Sequence, residues 1–267
     1  MTCALTFEVS VIIPTFNSEK FLSQAIDSVL DQKDVSLELI IVDAGSKDNT
    51  LEIVDNYISC NENIKLVNNY NDMGPAHARS IGVRASNGKY IAFLDSDDIW
   101  APSKLSRQLG VMNKNDWKFT YCFYGSDSKN TQCHYSALGK YNYWQAILFR
   151  GIATFTVVVH RTLLTEDVMQ FYPNQHAEDY LWWLLLIKGG NVAKLAPIYG
   201  GYYRKHNNAR SVNIIQNLRS INFYLGSIFK LSIFFRFIVF VIYPFDVFLR
   251  KIRYRFCILF NNLLDFI

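Results

Sequence analysis

The sequence predicts an α/β fold in which a mostly parallel central sheet is flanked by helices. Short apolar runs rich in β-branched residues alternate with segments of helical periodicity up to Trp100. Polar residues follow each of these apolar runs. Strand, helix and strand in succession open a parallel sheet, because parallel strands need a long crossover connection. The 267 residues suffice for one large domain of this kind.

The first strand, helix and strand follow one another directly. The run VSVIIPTFN (9–17) is β-branched and passes into a loop at Pro14. The segment SEKFLSQAIDSVLDQ (18–32) carries apolar residues at helical spacing behind Ser18, which we expect to cap the helix. The run LELIIVDA (37–44) is the second strand.

The same alternation continues toward Trp100. It predicts helices at 49–59 and 74–86 and strands at 64–69 and 89–95. Asp43 and Asp95 are both carboxylates at the ends of predicted strands. Ligands of open α/β sheets bind outside the carboxyl ends of the strands. We therefore expect Asp43 and Asp95 on the same edge of the sheet.

The pattern is less regular beyond Trp100. It predicts a helix at 103–114, a strand at 117–125, and a helix at 139–151 followed by a strand at 154–162. The segment EDYLWWLLLIKGG (178–190) is apolar on nearly every face, so it is expected to be a deeply buried helix. No boundary is evident before about residue 220. We expect one large domain at 1–220 and a tail at 221–267.

The net charge of +4 is unevenly distributed. Residues 1–220 contain 21 basic and 21 acidic side chains, and residues 221–267 contain 6 basic and 2 acidic ones. The balanced charge of residues 1–220 argues against nucleic acid as a partner, because phosphate backbones are met by broad basic faces. A basic and apolar tail favours a membrane surface instead.

The tail segment 229–256 is aromatic and basic. A membrane-spanning helix needs roughly 20 mostly apolar residues, and Arg236, Pro244 and Asp246 interrupt this segment. An amphipathic helix lying at the membrane interface fits better. The alternative is a helix packed on the catalytic domain or on a second subunit.

The five cysteines and the N-terminus indicate the compartment. The cysteine count is odd and no C-x-x-C spacing occurs, so neither a disulfide framework nor a zinc site is indicated. The first apolar run is too short and ends too early, at Pro14, for a signal peptide. We expect a reduced, cytosolic protein.

Three aspartates are crowded at the end of the predicted strand in IAFLDSDDIW (91–100). Asp95, Asp97 and Asp98 should repel one another and raise one another's pKa unless a cation lies nearby. D-x-D at a strand end suits Mg²⁺ or Mn²⁺, because alternate side chains point the same way and carboxylates are hard ligands. The alternative is a polar turn in which Asp98 caps the next helix.

A second acidic pair, Glu178 and Asp179, begins the predicted buried helix. Carboxylates are also favoured there simply because a helix N-terminus is positive. A third pair, Glu166 and Asp167, has no such helix behind it and is expected at the surface. An ordinary turn around Gly45 is the alternative to a functional role for Asp43, and it is the role expected of Asp48.

Five motifs in order and spacing resemble glycosyltransferase family 2. They are VSVIIPTFN, VDAGSKDNT (42–50), GPAHARSIG (74–82), FLDSDDIWAPSKL (93–105) and AEDYLWW (177–183). The resemblance covers roughly residues 8–211. It implies the nucleotide-diphospho-sugar transferase fold called GT-A.

The resemblance also implies roles at the donor. Thr15 would lie against the donor nucleotide, with Asp43 near the base or ribose and Arg79 nearby. Asp95 would lie towards the ribose, and Asp97 would be the main ligand of Mn²⁺ or Mg²⁺. The sequence departs from the family pattern at Ala44, where a second aspartate is usual, and at Ser80, where asparagine is common.

At the acceptor, the resemblance makes Asp179 the base that deprotonates the attacking hydroxyl, with Glu178 contacting the acceptor. The segment YYRKHNNARS (202–211) resembles a Y-R-x-H segment of the family. It implies that Arg204 and His206 lie near the diphosphate. A solvated basic loop is the alternative for these two residues.

The resemblance implies a metal-dependent inverting glycosyltransferase. It would move one sugar from a nucleotide-diphosphate donor, UDP being favoured, to a hydroxyl of a lipid-diphosphate-linked glycan. The expected setting is bacterial surface polysaccharide synthesis, such as O-antigen, at the cytoplasmic face of the inner membrane. The Q-x-x-R-W motif of processive synthases is not found, which favours transfer of a single sugar.

Other classes fit the sequence less well. A sugar nucleotidyltransferase should have a glycine-rich basic loop where PTFNSEK stands, and a dinucleotide-dependent oxidoreductase should have G-x-G-x-x-G there. A non-catalytic nucleotide-sugar-binding module stays open, as does a homo-oligomer. The sequence names neither the sugar, the acceptor nor the linkage.

Overall fold

The computed structural model describes most of the chain. The described residues are 7–69, 73–125, 139–149, 151–170, 176–204 and 214–242. The strands are β1 Val9–Thr15, β2 Leu37–Asp43, β3 Ile64–Asn68, β4 Tyr90–Phe93, β5 Ile99–Trp100, β6 Phe119–Gly125, β7 Lys140–Tyr141, β8 Val158–His160 and β9 Ala193–Tyr202. The helices are α1 Leu22–Leu30, α2 Thr50–Cys60, α3 Pro75–Ala85, α4 Lys104–Asn115, α5 Tyr143–Leu148, α6 Glu178–Lys188 and α7 Ile214–Phe223.

These strands form one sheet with the order β3-β2-β1-β4-β8-β6-β9-β5, and β7 pairs with β9. The four strands β3, β2, β1 and β4 are parallel, as the alternation of strands and helices predicts. Strand β8 is antiparallel to both β4 and β6. The register places Thr15 beside Asp43. The predicted α/β fold is confirmed.

Strands β1, β2 and β4 are buried on both faces, because helices cover each side of the sheet. Successive side chains alternate between the faces. Val11 and Ile13 pack in the cluster that contains Leu22 and Ile26 of α1. Ile12 lies on the opposite face, in the cluster formed with α3 and α6. Side chains of β1 therefore pack into a hydrophobic cluster on each face of the sheet. This packing fixes the strand ends from which the following loops begin.

The start of the first helix differs from the prediction. Helix α1 begins at Leu22, its cap position is Phe21, and no side chain caps it. Ser18 instead forms a turn in which its carbonyl oxygen accepts from the Leu22 amide at 3.0 Å. Its hydroxyl lies 2.8 Å from the Ser96 hydroxyl. The predicted capping role of Ser18 is therefore wrong, because this hydroxyl joins two loops at the sheet edge.

Strand β9 was not predicted from the sequence. Pro197, Gly200 and Gly201 interrupt the β-branched pattern that marks a strand. The strand is nevertheless central, since it pairs with β6 and β5. Gly201 has φ of +139°, and a Cβ atom there would lie 2.1 Å from the Ile99 carbonyl oxygen. Glycine at this position therefore permits the close pairing of β9 with β5.

Helix α6 is buried along its length, as predicted. The first part of the tail also packs against the catalytic domain. Tyr224, Leu225 and Val239 belong to the same hydrophobic cluster as α6. Residues 233–242 are helical, and the predicted continuation at 243–267 lies outside the described residues. Within the described ranges, none of the helices is long and apolar enough to cross a membrane.

Candidate active site

The carboxyl ends of β1, β2 and β4 meet at one edge of the sheet. Thr15 ends β1 and Asp43 ends β2 in register with it. Asp95 follows β4, which is parallel to β1. The contact between Ser18 and Ser96 joins the loops after β1 and β4. The prediction that Asp43 and Asp95 share one edge is confirmed.

A buried cation lies beneath the D-x-D segment. The Arg79 guanidinium donates from Nη2 to Asp95 Oδ1 at 2.5 Å. Its side chain is 9% exposed, against 34% for Asp95. Helix α3, which carries Arg79, packs on β1 and β2. The sheet and its crossover helix therefore fix this positive charge at the strand ends.

Arg79 also connects the two acidic motifs of the sequence. Burial lowers the pKa of Arg79, but the charges of Asp95, Glu178 and Asp179 outweigh that effect and raise it overall. Electrostatic coupling of this kind requires proximity. Helix α3 also contacts α6, so the D-x-D segment and the E-D pair, far apart in sequence, both lie within electrostatic range of one guanidinium.

The Asp95 and Asp98 carboxylates lie in an environment that disfavours their charged forms. Burial raises the pKa of Asp95, as do the neighbouring Asp97 and Asp179 carboxylates, although Arg79 opposes them. The pKa of Asp98 is raised further, by burial and by the charges of Asp95 and Asp97. The Asp98 Oδ2 atom is buried without a hydrogen-bond partner. Added positive charge would relieve this crowding.

Asp98 does not cap the following helix. It is 1% exposed, and its Oδ1 accepts from the Arg204 amide at 3.1 Å. The cap position of α4 is Ser103, where no side chain caps the helix. The structure has the turn of the alternative, since the Asp98 amide donates to the Asp95 carbonyl oxygen at 3.0 Å, but it does not have the helix cap. Instead, Asp98 ties the D-x-D loop to the end of β9.

The residues of the D-x-D segment fit a divalent ion. No group of three or more histidine, cysteine, aspartate or glutamate side chains in the described ranges is arranged to hold a metal by itself. Mg²⁺ at phosphate sites typically takes one or two carboxylates and completes its shell with phosphate oxygens and water. Asp95 and Asp97 supply such a carboxylate pair, and the neighbouring Asp98 has a buried Oδ2 atom without a hydrogen-bond partner.

Asp179 is held in a defined orientation at the start of α6. Its Oδ2 accepts from the Thr154 hydroxyl at 2.9 Å, and its Oδ1 accepts from the Tyr180 amide at 2.8 Å. Thr154 is buried in the short turn Thr154–Thr156. Sequence reasoning did not find Thr154, because a single threonine in GIATFT has no feature that distinguishes it.

Both carboxylate oxygens of Asp43 are bound by the loop that follows it. Oδ2 accepts from the Gly45 and Ser46 amides, each at 2.9 Å. Oδ1 accepts from the Ser46 hydroxyl at 2.5 Å and from the Thr15 hydroxyl at 3.2 Å. Asp43 is buried. Thr15 and Asp43 are thus brought together, and Asp43 shapes the loop at the strand ends.

Asp48 and Glu166 lie outside the acidic cluster, as predicted. Asp48 Oδ1 accepts from the Thr50 amide at 3.1 Å, in a turn at the start of α2. Burial raises the pKa of Asp48, but hydrogen bonds from Thr50 and Glu19 outweigh it and lower the pKa overall. Glu166 is exposed and pairs with Arg84 at 2.5 Å. Neither carboxylate belongs to the acidic cluster around Arg79.

The Arg204 side chain lies against α1. Its Nη2 donates to Gln24 Oε1 at 2.6 Å, and its guanidinium carbon lies 4.5 Å from the centre of the Phe21 ring. The structure therefore joins Arg204 to the D-x-D loop through its backbone rather than its guanidinium. His206 lies outside the described residues.

A family model described as glycosyl transferase family 2 matches residues 10–163. The chain is 38% identical over 197 residues to the Escherichia coli UDP-Glc:alpha-D-GlcNAc-diphosphoundecaprenol beta-1,3-glucosyltransferase WfgD, covering 70% of this chain and 72% of the relative. It is 32% identical over 211 residues to the E. coli enzyme of the same description named WfaP, covering 79% and 82%.

Solved structures show a similar fold. S. aureus TarS in complex with UDP-GlcNAc aligns with a TM-score of 0.67 at 20% identity, covering 86% of this chain and 69% of that one. The mannosyltransferase PcManGT from Pyrobaculum calidifontis, in complex with GDP-Man and Mn²⁺, aligns with a TM-score of 0.66 at 19% identity, covering 85% and 65%. At these identities the likeness concerns the fold alone.

Proposed function

The chain belongs to glycosyl transferase family 2, with the GT-A fold, and on that premise we propose that it transfers one sugar from a UDP-sugar to a lipid-diphosphate-linked glycan. The observation that carries this proposal is the convergence of Asp95, Glu178 and Asp179 around Arg79. Asp95, proposed for the donor side, and the pair Glu178 and Asp179, proposed for the acceptor side, would thereby lie on either side of the sugar that is transferred. Transfer between two bound substrates requires such proximity.

At the donor, Asp95 and Asp97 would hold Mn²⁺ or Mg²⁺ together with the diphosphate. The bound ion would neutralise the charge that develops on the leaving diphosphate. Arg79 keeps Asp95 in place by its hydrogen bond of 2.5 Å. Thr15 and Asp43 would shape the nucleotide-binding loop through their mutual hydrogen bond.

Arg204 and His206 are proposed to meet the diphosphate from the segment after β9. Support for Arg204 comes from the bond between its amide and Asp98 Oδ1, which places it beside the D-x-D loop. The Arg204 guanidinium would bind phosphate oxygens through charge-assisted hydrogen bonds, which are stronger than neutral ones.

At the acceptor, Asp179 would act as the general base. As the acceptor hydroxyl oxygen forms its bond to the anomeric carbon, its proton passes to an Asp179 carboxylate oxygen, and the bond from that carbon to the diphosphate breaks. Attack from the face opposite the diphosphate inverts the anomeric centre in one displacement. Glu178 would contact the acceptor. The Thr154 hydroxyl orients Asp179 for this step.

Donor and acceptor are inferred from similarity. WfgD and WfaP are described as UDP-Glc-dependent enzymes acting on a diphosphoundecaprenol-linked sugar, and TarS was solved with UDP-GlcNAc. We infer the same classes of substrate for this chain, in surface polysaccharide synthesis such as that of O-antigen. The catalytic domain would comprise residues 1–220, and the tail at 221–267 would hold the enzyme at the cytoplasmic face of the bacterial inner membrane.

The test is release of free nucleotide from UDP-, GDP- and dTDP-sugars, with Mn²⁺ or a chelator, in the presence of lipid-diphosphate-sugar acceptors. We expect release from one UDP-sugar that depends on the acceptor and stops with the chelator. Release from a GDP- or dTDP-sugar alone would contradict the UDP assignment. Tight binding of a UDP-sugar without transfer to any acceptor would favour the non-catalytic binding module.

A further inference from the structure

We propose that an aromatic patch shared by the catalytic domain and the tail docks on the lipid bilayer and brings the acceptor to Asp179. The patch consists of Trp144, Ile233, Phe234, Phe235, Phe237 and Phe240. The role of the acceptor rests on the proposed function, whereas docking on lipid can be tested without it.

The patch is apolar yet exposed. Its side chains are 46–76% exposed. Ile233, Phe237 and Phe240 recur at the spacing of one helical face, and Val239 on another face is buried in the core. The helix at 233–242 thus packs by one side and presents large apolar side chains on the other. Contiguous exposed apolar surface of this kind marks an interaction site.

The catalytic domain contributes Trp144 to this surface. Trp144 belongs to α5, and its ring lies 5.9 Å from that of Phe235. The neighbouring Tyr143 ring lies 6.2 Å from that of Phe229. The patch is therefore continuous across α5 and the tail, so that contact with a membrane through the patch also orients the catalytic domain.

The charges around the patch suit an anionic lipid surface. Residues 214–242 include Arg219, Lys230 and Arg236 but no aspartate or glutamate. Lys230 is exposed, and the Lys188 amine lies 5.2 Å from the Phe229 ring. Helices that lie in a membrane interface combine a large apolar face with basic residues and are attracted by anionic head groups.

A second copy of the chain is a less favourable partner for this surface. In a two-fold dimer the same patch would meet itself. The basic side chains that flank the patch would then face one another without acidic residues from the same segment to pair with them. Like charges placed across an interface cost binding free energy.

The patch is also close to the proposed catalytic base. Tyr180, which follows Asp179, donates from its hydroxyl to the Ile147 carbonyl oxygen at 3.0 Å. Ile147 is three residues beyond Trp144 on α5, a rise of about 4.5 Å along the helix. A lipid-linked acceptor entering from the bilayer beside Trp144 would therefore reach the start of α6 over a short path.

The experiment compares full-length variants in vesicles of phosphatidylglycerol and phosphatidylcholine. Trp144→Ser and the double change Phe234→Ser with Phe237→Ser should each reduce co-sedimentation with vesicles about tenfold or more. Trp144→Phe should retain binding, and Lys33→Gln, an exposed cation in the loop between α1 and β2, should not change it. Transfer to a long-chain acceptor in vesicles should fall with binding, while transfer to a short-chain, water-soluble acceptor should stay unchanged.

Three results would overturn the proposal. Unchanged vesicle binding in the serine variants would remove the patch as the docking surface. Dissociation of a wild-type dimer by these changes would assign the patch to a second copy. A fall in thermal stability, with equal loss of activity on both acceptors, would show that the chain itself covers the patch. If the wild-type protein transferred sugar to neither acceptor, the proposed function would fail, while the vesicle comparison would still decide whether the patch docks on lipid.

Discussion

The Thr154 hydroxyl donates a hydrogen bond of 2.9 Å to Asp179 Oδ2. The two residues come from different elements, the turn Thr154–Thr156 and the first turn of α6. The other oxygen of Asp179 accepts from the Tyr180 amide. Both carboxylate oxygens are therefore oriented, as expected of a base that must meet one acceptor hydroxyl.

Thr154→Val should lower kcat about tenfold, which corresponds to roughly 1.4 kcal/mol of lost transition-state stabilisation. The change removes one hydrogen bond to Asp179 but keeps the shape of the side chain. Donor affinity, measured by calorimetry, should stay within twofold because Thr154 lies on the acceptor side. Thr154→Ser retains the hydroxyl and should restore most of the rate. An equally slow serine variant would indicate that packing, rather than the hydrogen bond, accounts for the effect.

Arg79→Gln should reduce transfer by about 100-fold or more. It leaves Asp95 without its partner and removes the positive charge that acts on Glu178 and Asp179, so the carboxylates of the site would repel one another more strongly. The matched control on the same helix is Arg84→Gln, which removes an exposed pair with Glu166 and a hydrogen bond to the Ser80 hydroxyl. The measurement is the steady-state transfer rate of both variants. An equal fall in rate in both would show that reduced stability of α3, rather than loss of the Arg79 charge, causes the effect.

Asp43→Asn should lower the free energy of unfolding by about 1–3 kcal/mol, because the new amide cannot accept all the hydrogen bonds that the loop donates. Ser46→Ala, which removes one of these donors, should have a smaller effect in the same direction. Urea unfolding measures both. A large fall in donor affinity with unchanged stability would instead assign Asp43 to direct contact with the nucleotide.

Lys104→Met should stabilise the protein at pH 7. Lys104 is fully buried, its amine lacks a hydrogen-bond partner, and it lies 4.2 Å from the centre of the Trp100 ring. Burial lowers the pKa of Lys104 from 10.5 to about 8, although the neighbouring Cys122 opposes the shift. Methionine avoids burying a charge, and after loss of the cation–π contact we expect a net gain of about 1–3 kcal/mol.

The stability that Lys104→Met gains over the wild-type protein should decrease as pH rises. Below pH 8 Lys104 is protonated in both folded and unfolded states, so the full cost of burial is present. Between pH 8 and about 10.5 the unfolded state binds more protons than the folded state, so wild-type stability rises relative to the variant. Urea unfolding at pH 7 and pH 9.5 should show the advantage of the variant shrinking. A constant difference would indicate that charge is not its cause.

The sequence predicted the parallel half of the fold because its signals are local. β1 and β2 are continuous β-branched runs separated by a helix of clear periodicity, and their observed bounds lie within two residues of the predicted ones. Strand β9 lacks this signal, since its glycines serve close pairing with β5. The hydroxyl of Ser18 was assigned to a helix cap for a similar reason. Local pattern does not reveal that Ser96 lies beside it.

The acidic motifs of the site and Arg79 were predicted from the sequence. The hydrogen bonds that hold the acidic side chains in place were not. D-x-D and E-D are visible as clusters of charge in the sequence. The contact of Thr154 with Asp179, and that of the Arg204 amide with Asp98, join residues distant in the chain. Single-residue hydrogen bonds of this kind leave no pattern that a sequence could show.

The most direct test of the account separates donor binding from transfer in two variants. Asp179→Asn should bind the UDP-sugar and Mn²⁺ as the wild-type protein does but lose transfer by about 100-fold or more, since the proposed base is removed. Asp97→Ala should lose transfer together with metal-dependent donor binding. Normal turnover by the Asp179→Asn protein would contradict the account and would move the search for the base to Glu178.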